Sequence, residues 1–145
     1  MKKLLAAFMM LCAVHVFAFT EPEVNKKIVE AFSIIFKDAV DITWYAEENY
    51  DQVYFYLHNI KTQIKYNKDG SFVSCFRTYK CNNLPLFIQM KLKNEFAKRN
   101  ITSVAELSTG ETIEYHLVME DDKFWYNVKS DALGNFTVDK KFRKG

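Results

Sequence analysis

The stretch "YNKDGSFVSCFR", residues 66–77, is echoed near the other end of the chain by "SDALGNFTVDKKFR", residues 130–143. Gly70 and Gly134 stand 64 residues apart, and so do Phe72 and Phe136. In both places a polar turn with a glycine, the residue that accepts positive φ without steric cost, leads into an alternating apolar segment. The same offset of 64 carries Val24, Ile28 and Phe32 onto Ile88, Leu92 and Phe96. Each of these triplets is spaced to form one face of a helix. Two separate stretches agreeing on one register predict a chain made of one unit written twice.

The rest of the sequence fits that unit. Thr20-Glu21-Pro22-Glu23 has the form of a capping box, with Thr20 as N-cap, and predicts a helix near 21–36. "NNLP" at 82–85, with Asn83 as cap and Pro85 in the first turn, predicts a second helix near 84–98. Strands follow each helix. In the first half they carry Val40/Ile42/Trp44, Val53/Phe55/Leu57, Ile60/Ile64 and Phe72/Phe76 on their apolar side. In the second they carry Ile101/Leu107, Ile113/Tyr115/Leu117/Met119, Phe124/Tyr126/Val128 and Phe136/Val138. Alternation with a single apolar face is the signature of an antiparallel sheet covered on one side. A unit of ~65 residues is marginal on its own, so the halves are expected to join. The predicted fold class is α+β: two tandem repeats, about 20–80 and 83–145, each a helix followed by about four antiparallel strands. Both helices pack on one side of the sheet, with Trp44 buried under the first.

The first residues read differently. Lys2 and Lys3 precede an apolar run from Leu4 to Val14, and "VFA" at 16–18 offers a small residue before a cut. This is the order of a secretory signal peptide, too short to span a bilayer. Residues 1–18 are therefore expected to be removed, leaving a single domain, 19–145, that is periplasmic or secreted and not inserted in the membrane. Cys12 follows Leu11 where a lipid-anchor motif wants a small residue. Losing Lys2 and Lys3 takes the formal net charge from +2 to zero. With no basic run interleaved with aromatics, nucleic acid is not an expected partner.

Chemistry-bearing residues are sparse. Beyond residue 18 the chain holds Cys75, Cys81, His58 and His116, with no Cys-x-x-Cys or His-x-x-x-His spacing. No metal site and no cofactor are expected. Glycine-rich phosphate loops and serine elbows are absent from the sequence, and nothing sets a base beside Cys75. The chain is read as a non-enzyme, a thiol hydrolase built on Cys75 being the catalytic alternative. Six residues of extended strand span ~20 Å, so a Cys75–Cys81 disulfide requires the strand to stop near Tyr79 and fold back.

Alternation also predicts a binding face. With Val53, Phe55 and Leu57 turned to the helix, Tyr54, Tyr56 and His58 point away, as do Tyr45 and Trp125 on their strands. Tyr45, Tyr54, Tyr56, His58 and Trp125 would then form an aromatic outer surface suited to a protein or peptide.

The leader, "FKDAVDITW", "YDQVYFYL", "IKYNKDGSF", "LPLFIQMKLKNEF" and "DALGNF" together resemble a family of small exported Bacteroidetes proteins. That family is described as beta-lactamase-inhibitor-like and PepSY-like, and the resemblance covers essentially all of 19–145. It implies tandem α-plus-antiparallel-sheet repeats, a periplasmic or outer address, no established enzymatic role, and a binding or inhibitor-like use of the sheet. Secreted beta-lactamase inhibitors of that fold carry a disulfide in each repeat. This chain has no cysteine in its second repeat, a departure from the inhibitors themselves. The alternative to a binding module is a structural, envelope-maintenance protein without a discrete ligand.

Overall fold

The computed structural model of the protein describes residues 23–145. The expected leader, Cys12 and the Thr20–Pro22 part of the capping box lie outside the described residues. Helix α1 (Lys26–Ile35) begins later than Thr20 would place it: Asn25 is its N-cap, and the Asn25 side chain accepts a hydrogen bond of 3.0 Å from the Lys27 amide. Glu23 and Val24 precede the helix, so Val24 is not part of its apolar stripe. That stripe is Ile28, Phe32 and the C-capping Phe36. Four strands follow: β1 (Val40–Ala46), β2 (Tyr50–Leu57), β3 (Ile60–Asn67) and β4 (Phe72–Tyr79). A 3-10 turn at Cys81–Asn83 reverses the chain into α2 (Leu86–Glu95), for which Pro85, not Asn83, stands at the N-cap position. Then come β5 (Asn100–Thr109), β6 (Ile113–Glu120), β7 (Phe124–Asp131) and β8 (Phe136–Arg143).

The protein is α+β, with eight strands in one antiparallel sheet, each beside its sequence neighbour from β1 to β8. The α2 excursion does not interrupt it, since Tyr79 of β4 pairs directly with Val104 of β5. Cross-strand partners share a face, so the register identifies each side of the sheet. Val53 pairs with Ile64 and Ile64 with Cys75, while Tyr79, Val104, Leu117 and Val128 form a second row. Phe32 joins the cluster of Val53, Phe55 and Ile64; Ile88 and Leu92 join that of Val104, Leu117, Met119 and Val128. Both helices therefore cover the same face. Burying an Ile, Leu or Phe side chain in this way contributes about 1.5–3 kcal/mol each. Trp44 is half-buried rather than fully covered, its ring edge-on to Phe32 at 5.3 Å.

The helix is latched to the sheet by a buried carboxylate. Asp51, at the start of β2, is 0% exposed; it accepts from the Asn25 backbone amide (3.1 Å) and from Lys68 Nζ (2.6 Å). The Asn25 side-chain amide in turn donates to the Lys68 carbonyl (3.0 Å).

The offset between the halves is not uniform. Gly70 and Gly134 share positive φ and the 64-residue spacing, and β3 and β7, like β4 and β8, start 64 apart. The helices correspond at 60: α1 begins at Lys26 and α2 at Leu86, so Ile28, Phe32 and Phe36 answer to Ile88, Leu92 and Phe96. The match of Val24, Ile28 and Phe32 to those positions is thus one helical turn out. Of the four residues of difference, three are taken up in β5, ten residues against seven in β1, and the fourth in the β6–β7 turn, three residues against two between β2 and β3.

Candidate binding face

The helix-free side of the sheet is built by the residues that alternate with the core. Thr43 and Tyr45 of β1, Tyr50, Gln52, Tyr54 and Tyr56 of β2, and Gln63 of β3 fall on it by register. Tyr45 and Tyr54 meet edge to face, with centroids 5.5 Å apart. Tyr54 is opposite Gln63, and Gln63 is opposite Phe76 of β4. Tyr54 and Phe76 thereby wall a depression of about 240 Å³, with Gln63 as its floor and Lys61 and Thr78 at one end. The Gln63 side-chain amide donates to Gln52 Oε1 at 2.9 Å, which holds the floor in place.

The sequence pattern sets Phe76 with Phe72 on the apolar side; Phe76 belongs to the open face instead, 41% exposed. The helix-facing residues of β4 are Cys75, Arg77 and Tyr79. Arg77 is turned inward because Glu106, its partner on β5, is buried there: Arg77 Nη1 lies 3.4 Å from Glu106 Oε1, and the Tyr79 hydroxyl donates to Glu106 Oε2. Burial first, and this hydrogen bond second, push the Tyr79 phenol far above its ordinary pKa, so it remains a donor. A β-bulge between Phe72 and Ser74 shifts the alternation, so that Phe72 and Phe76 fall on opposite faces and Arg77 turns inward. No local signal in β4 reveals it; the only hint is Glu106 flanked by Ala105 and Leu107 in β5.

The other expected site residues separate. Tyr45, Tyr54 and Tyr56 share the open face at its β1–β2 end. Trp125 lies on the same face by its pairing with Glu120 and Phe142, but on β7, five strands from β2. At about 4.8 Å per strand that is ~24 Å across the sheet. Lys144 Nζ sits 4.8 Å from the Trp125 ring and pairs with Glu120 at 2.7 Å, so this end of the face carries its own charges. His58 is not a strand residue. With Asn59 it forms the two-residue β2–β3 turn, at φ 51° and 64°, and its imidazole is 3.9 Å from Asp38. Positive φ at both central positions is what a tight hairpin of this twist requires.

The thiols are not arranged for nucleophilic chemistry. Cys75 and Cys81 are unbridged, and Cys75 packs against the α1 cluster. Burial pushes the Cys75 thiol up, away from the reactive thiolate. His116 lies on the opposite face, beside Glu114, and His58 is five residues along from Val53, in the row of Cys75, or ~17 Å. Among the described residues no group of three His, Cys, Asp or Glu is placed to hold a metal ion. No described helix is long and apolar enough to cross a membrane. A larger depression, about 500 Å³, follows α2 between Met90, Phe96 and Arg99. The Arg99 guanidinium stacks there, 3.9 Å from the Tyr126 ring and 5.0 Å from that of Phe96, with its Nη1 buried and without a hydrogen-bond partner among the described residues. The sheet face is the better-formed candidate for a macromolecular partner, since its aromatic groups are exposed and its polar floor is fixed.

No family model matches the sequence, and no curated protein matches it. Solved structures do. A BLIP-like protein from Bacteroides fragilis superposes with a TM-score of 0.62 at 14% identity, covering 88% of this chain and 92% of its own. A DUF2874 family protein from Bacteroides uniformis gives 0.59 at 10% identity, covering 83% and 90%. A Bacteroides eggerthii protein, provisionally assigned to the periplasm, gives 0.59 at 13% identity, covering 83% and 89%. The chain therefore has the fold shared by BLIP-like and DUF2874 proteins of Bacteroides, in agreement with the family resemblance carried by its turns and packing residues.

Proposed function

We propose that the protein is an exported, non-catalytic binding or inhibitor-like module that holds a protein or peptide on the open face of its sheet. The observation that carries this reading is the asymmetry of the two faces. One is closed by both helices. The other presents Tyr45, Tyr56 and Phe76 at 49%, 40% and 41% exposure, with Tyr54 half-buried between them. Tyrosines bury a large area at modest entropic cost and keep a hydrogen-bonding tip, which favours them in interfaces. The fold shared with a BLIP-like protein supports a binding use of the sheet. We further read the chain as two copies of one helix-plus-four-strand unit, behind a signal peptide ending at Ala18. The site is placed on Tyr45, Tyr54 and Tyr56, with Trp125 as a separate contact at the far end of the face.

The test is photo-crosslinking from Thr43, the cross-strand partner of Tyr54, replaced by p-benzoylphenylalanine, in a periplasmic extract of the producing cell. A Tyr54→Ala/Tyr56→Ala variant serves as control. A partner crosslinked from this position and lost in the variant is the expected result. Undiminished capture of the same partner by a variant that melts as the parent does would sink the open-face reading. Mass spectrometry of the exported protein checks the address, since a mature start before Phe19 removes the predicted cleavage.

A further inference from the structure

The two ends of the open face differ in charge, and the difference points to the kind of partner. In the β5–β8 half, carboxylates are interspersed with the cations: Glu114, Glu120 and Asp131 share the face with Lys129 and Lys140, and Glu120 pairs with Lys144. In the β1–β4 half, the face positions fixed by register include Lys61 and Lys65 and no carboxylate. Glu47 and Glu48 lie in the β1–β2 turn at the edge of this face, outside its paired positions. Asp51 is buried on the helix side under Lys68, and Asp41 lies in the β-bulge of the outer strand, at φ 54°. Neither Lys61 nor Lys65 has a carboxylate within ion-pair distance among the described residues; the Lys65 ammonium instead sits 4.1 Å from the Tyr50 ring centroid. An apolar, aromatic surface with two unneutralised ammonium groups is complementary to an acidic segment.

Spacing makes the inference specific. Lys61, Gln63 and Lys65 alternate along β3 and face the same side, the two lysines about 13 Å apart at the rise of a strand. The depression of about 240 Å³ lies over Gln63, walled by Tyr54 and Phe76 and bordered by Lys61, with Lys65 one strand step beyond it. It is smaller than the ~300–1,000 Å³ of a small-molecule site and suits a single side chain. A segment in extended conformation, laid along β3, presents residues i, i+2 and i+4 to the sheet at the same spacing. Resting on the open-face reading, we propose that the β1–β4 half recognises an acidic, extended segment of a partner protein of the form acidic–x–apolar–x–acidic. Its apolar side chain fills the Tyr54/Phe76 depression and its carboxylates meet Lys61 and Lys65.

The experiment is an NMR titration of the 15N-labelled protein with the peptide Ac-Ser-Glu-Thr-Phe-Thr-Glu-Ser-NH2 and its counterpart with Gln for both Glu. Oligothymidylate is titrated as a third probe. The expected result is shifts at Tyr54, Gln63 and Phe76, with the acidic peptide bound about tenfold more tightly than the amide peptide, as two exposed ion pairs allow. That ratio should collapse in high salt. A Lys61→Gln/Lys65→Gln variant should bind both peptides at the level of the amide peptide. Equal binding of the two peptides at these residues overturns the acidic preference and leaves the open-face reading standing. Shifts at none of these residues with either peptide overturn both. Tighter binding of oligothymidylate on the same residues overturns the assignment to a protein segment.

Discussion

Lys68 and Asp51 form an unequal pair, and the inequality predicts which substitution hurts more. Asp51 is 0% exposed at the side chain, while Lys68 keeps 35% of its own in solvent. Lys68→Met preserves the aliphatic stem but strands the Asp51 carboxylate, with the Asn25 amide as its remaining donor. Removing one partner of a buried ion pair in this way costs about 3–5 kcal/mol. Asp51→Asn keeps the shape and an acceptor for the Asn25 amide, and the freed ammonium swings into water. Its cost is about 1–2 kcal/mol, the order of one exchanged hydrogen bond. The double variant Asp51→Asn/Lys68→Met contains no stranded charge and should be more stable than Lys68→Met alone. Urea unfolding followed by tryptophan fluorescence measures all three. With an m-value of about 1.5 kcal/mol/M, a difference of about 2 kcal/mol between the single variants separates their midpoints by about 1.3 M. A Lys68→Met variant no less stable than Asp51→Asn, or a double variant whose losses simply add, would refute the reasoning that stranded charge dominates.

Two more outcomes follow from the same geometry. A Cβ on Gly134 would stand 2.8 Å from Lys91 Cδ and 3.1 Å from Ile88 Cδ1, whereas one on Gly70 would meet only Ile28 Cγ1, at 3.6 Å. Both positions have positive φ, which costs a side chain about 1–2 kcal/mol. The exposed Lys91 chain can swing aside but the buried Ile88 cannot, so Gly134→Ala should lose about 1 kcal/mol more in thermal unfolding than Gly70→Ala; equal losses contradict the tighter packing of the second turn against its helix. Asp121 accepts from the Tyr126 hydroxyl (2.6 Å) and from the Lys123 and Phe124 amides, and these bonds, the Tyr126 hydroxyl foremost, lower its pKa to about 2. A carboxylate with a depressed folded pKa contributes stability above its unfolded value near 4, and that contribution is lost as the pH falls towards about 2. Asp121→Asn should therefore flatten the stability profile between about pH 4 and 2, and a profile as steep as the parent's contradicts the assignment.

Much of the architecture is local and legible in the chain itself. Turn glycines at 70 and 134, period-2 alternation in β2, β3, β6 and β7, and two apolar stripes at helical spacing specify the element types and their order. These signals arise from backbone sterics and one-sided burial, which act within a few residues. The tertiary structure decided what such signals leave degenerate. A shift of four residues returns a helix to nearly the same face, so periodicity matches Val24 with Ile88 where the helix caps set Ile28 against Ile88. Alternation in β4 has two readings, and the ion pair with Glu106, 29 residues away, selects the one that sends Arg77 inward and Phe76 out. His58 and Trp125 satisfy the pattern of a shared surface, but hairpin closure puts one in a turn and strand order carries the other across the sheet. Alternation along a strand is written in the chain; which side turns inward, and which residues become neighbours, depends on contacts between distant strands.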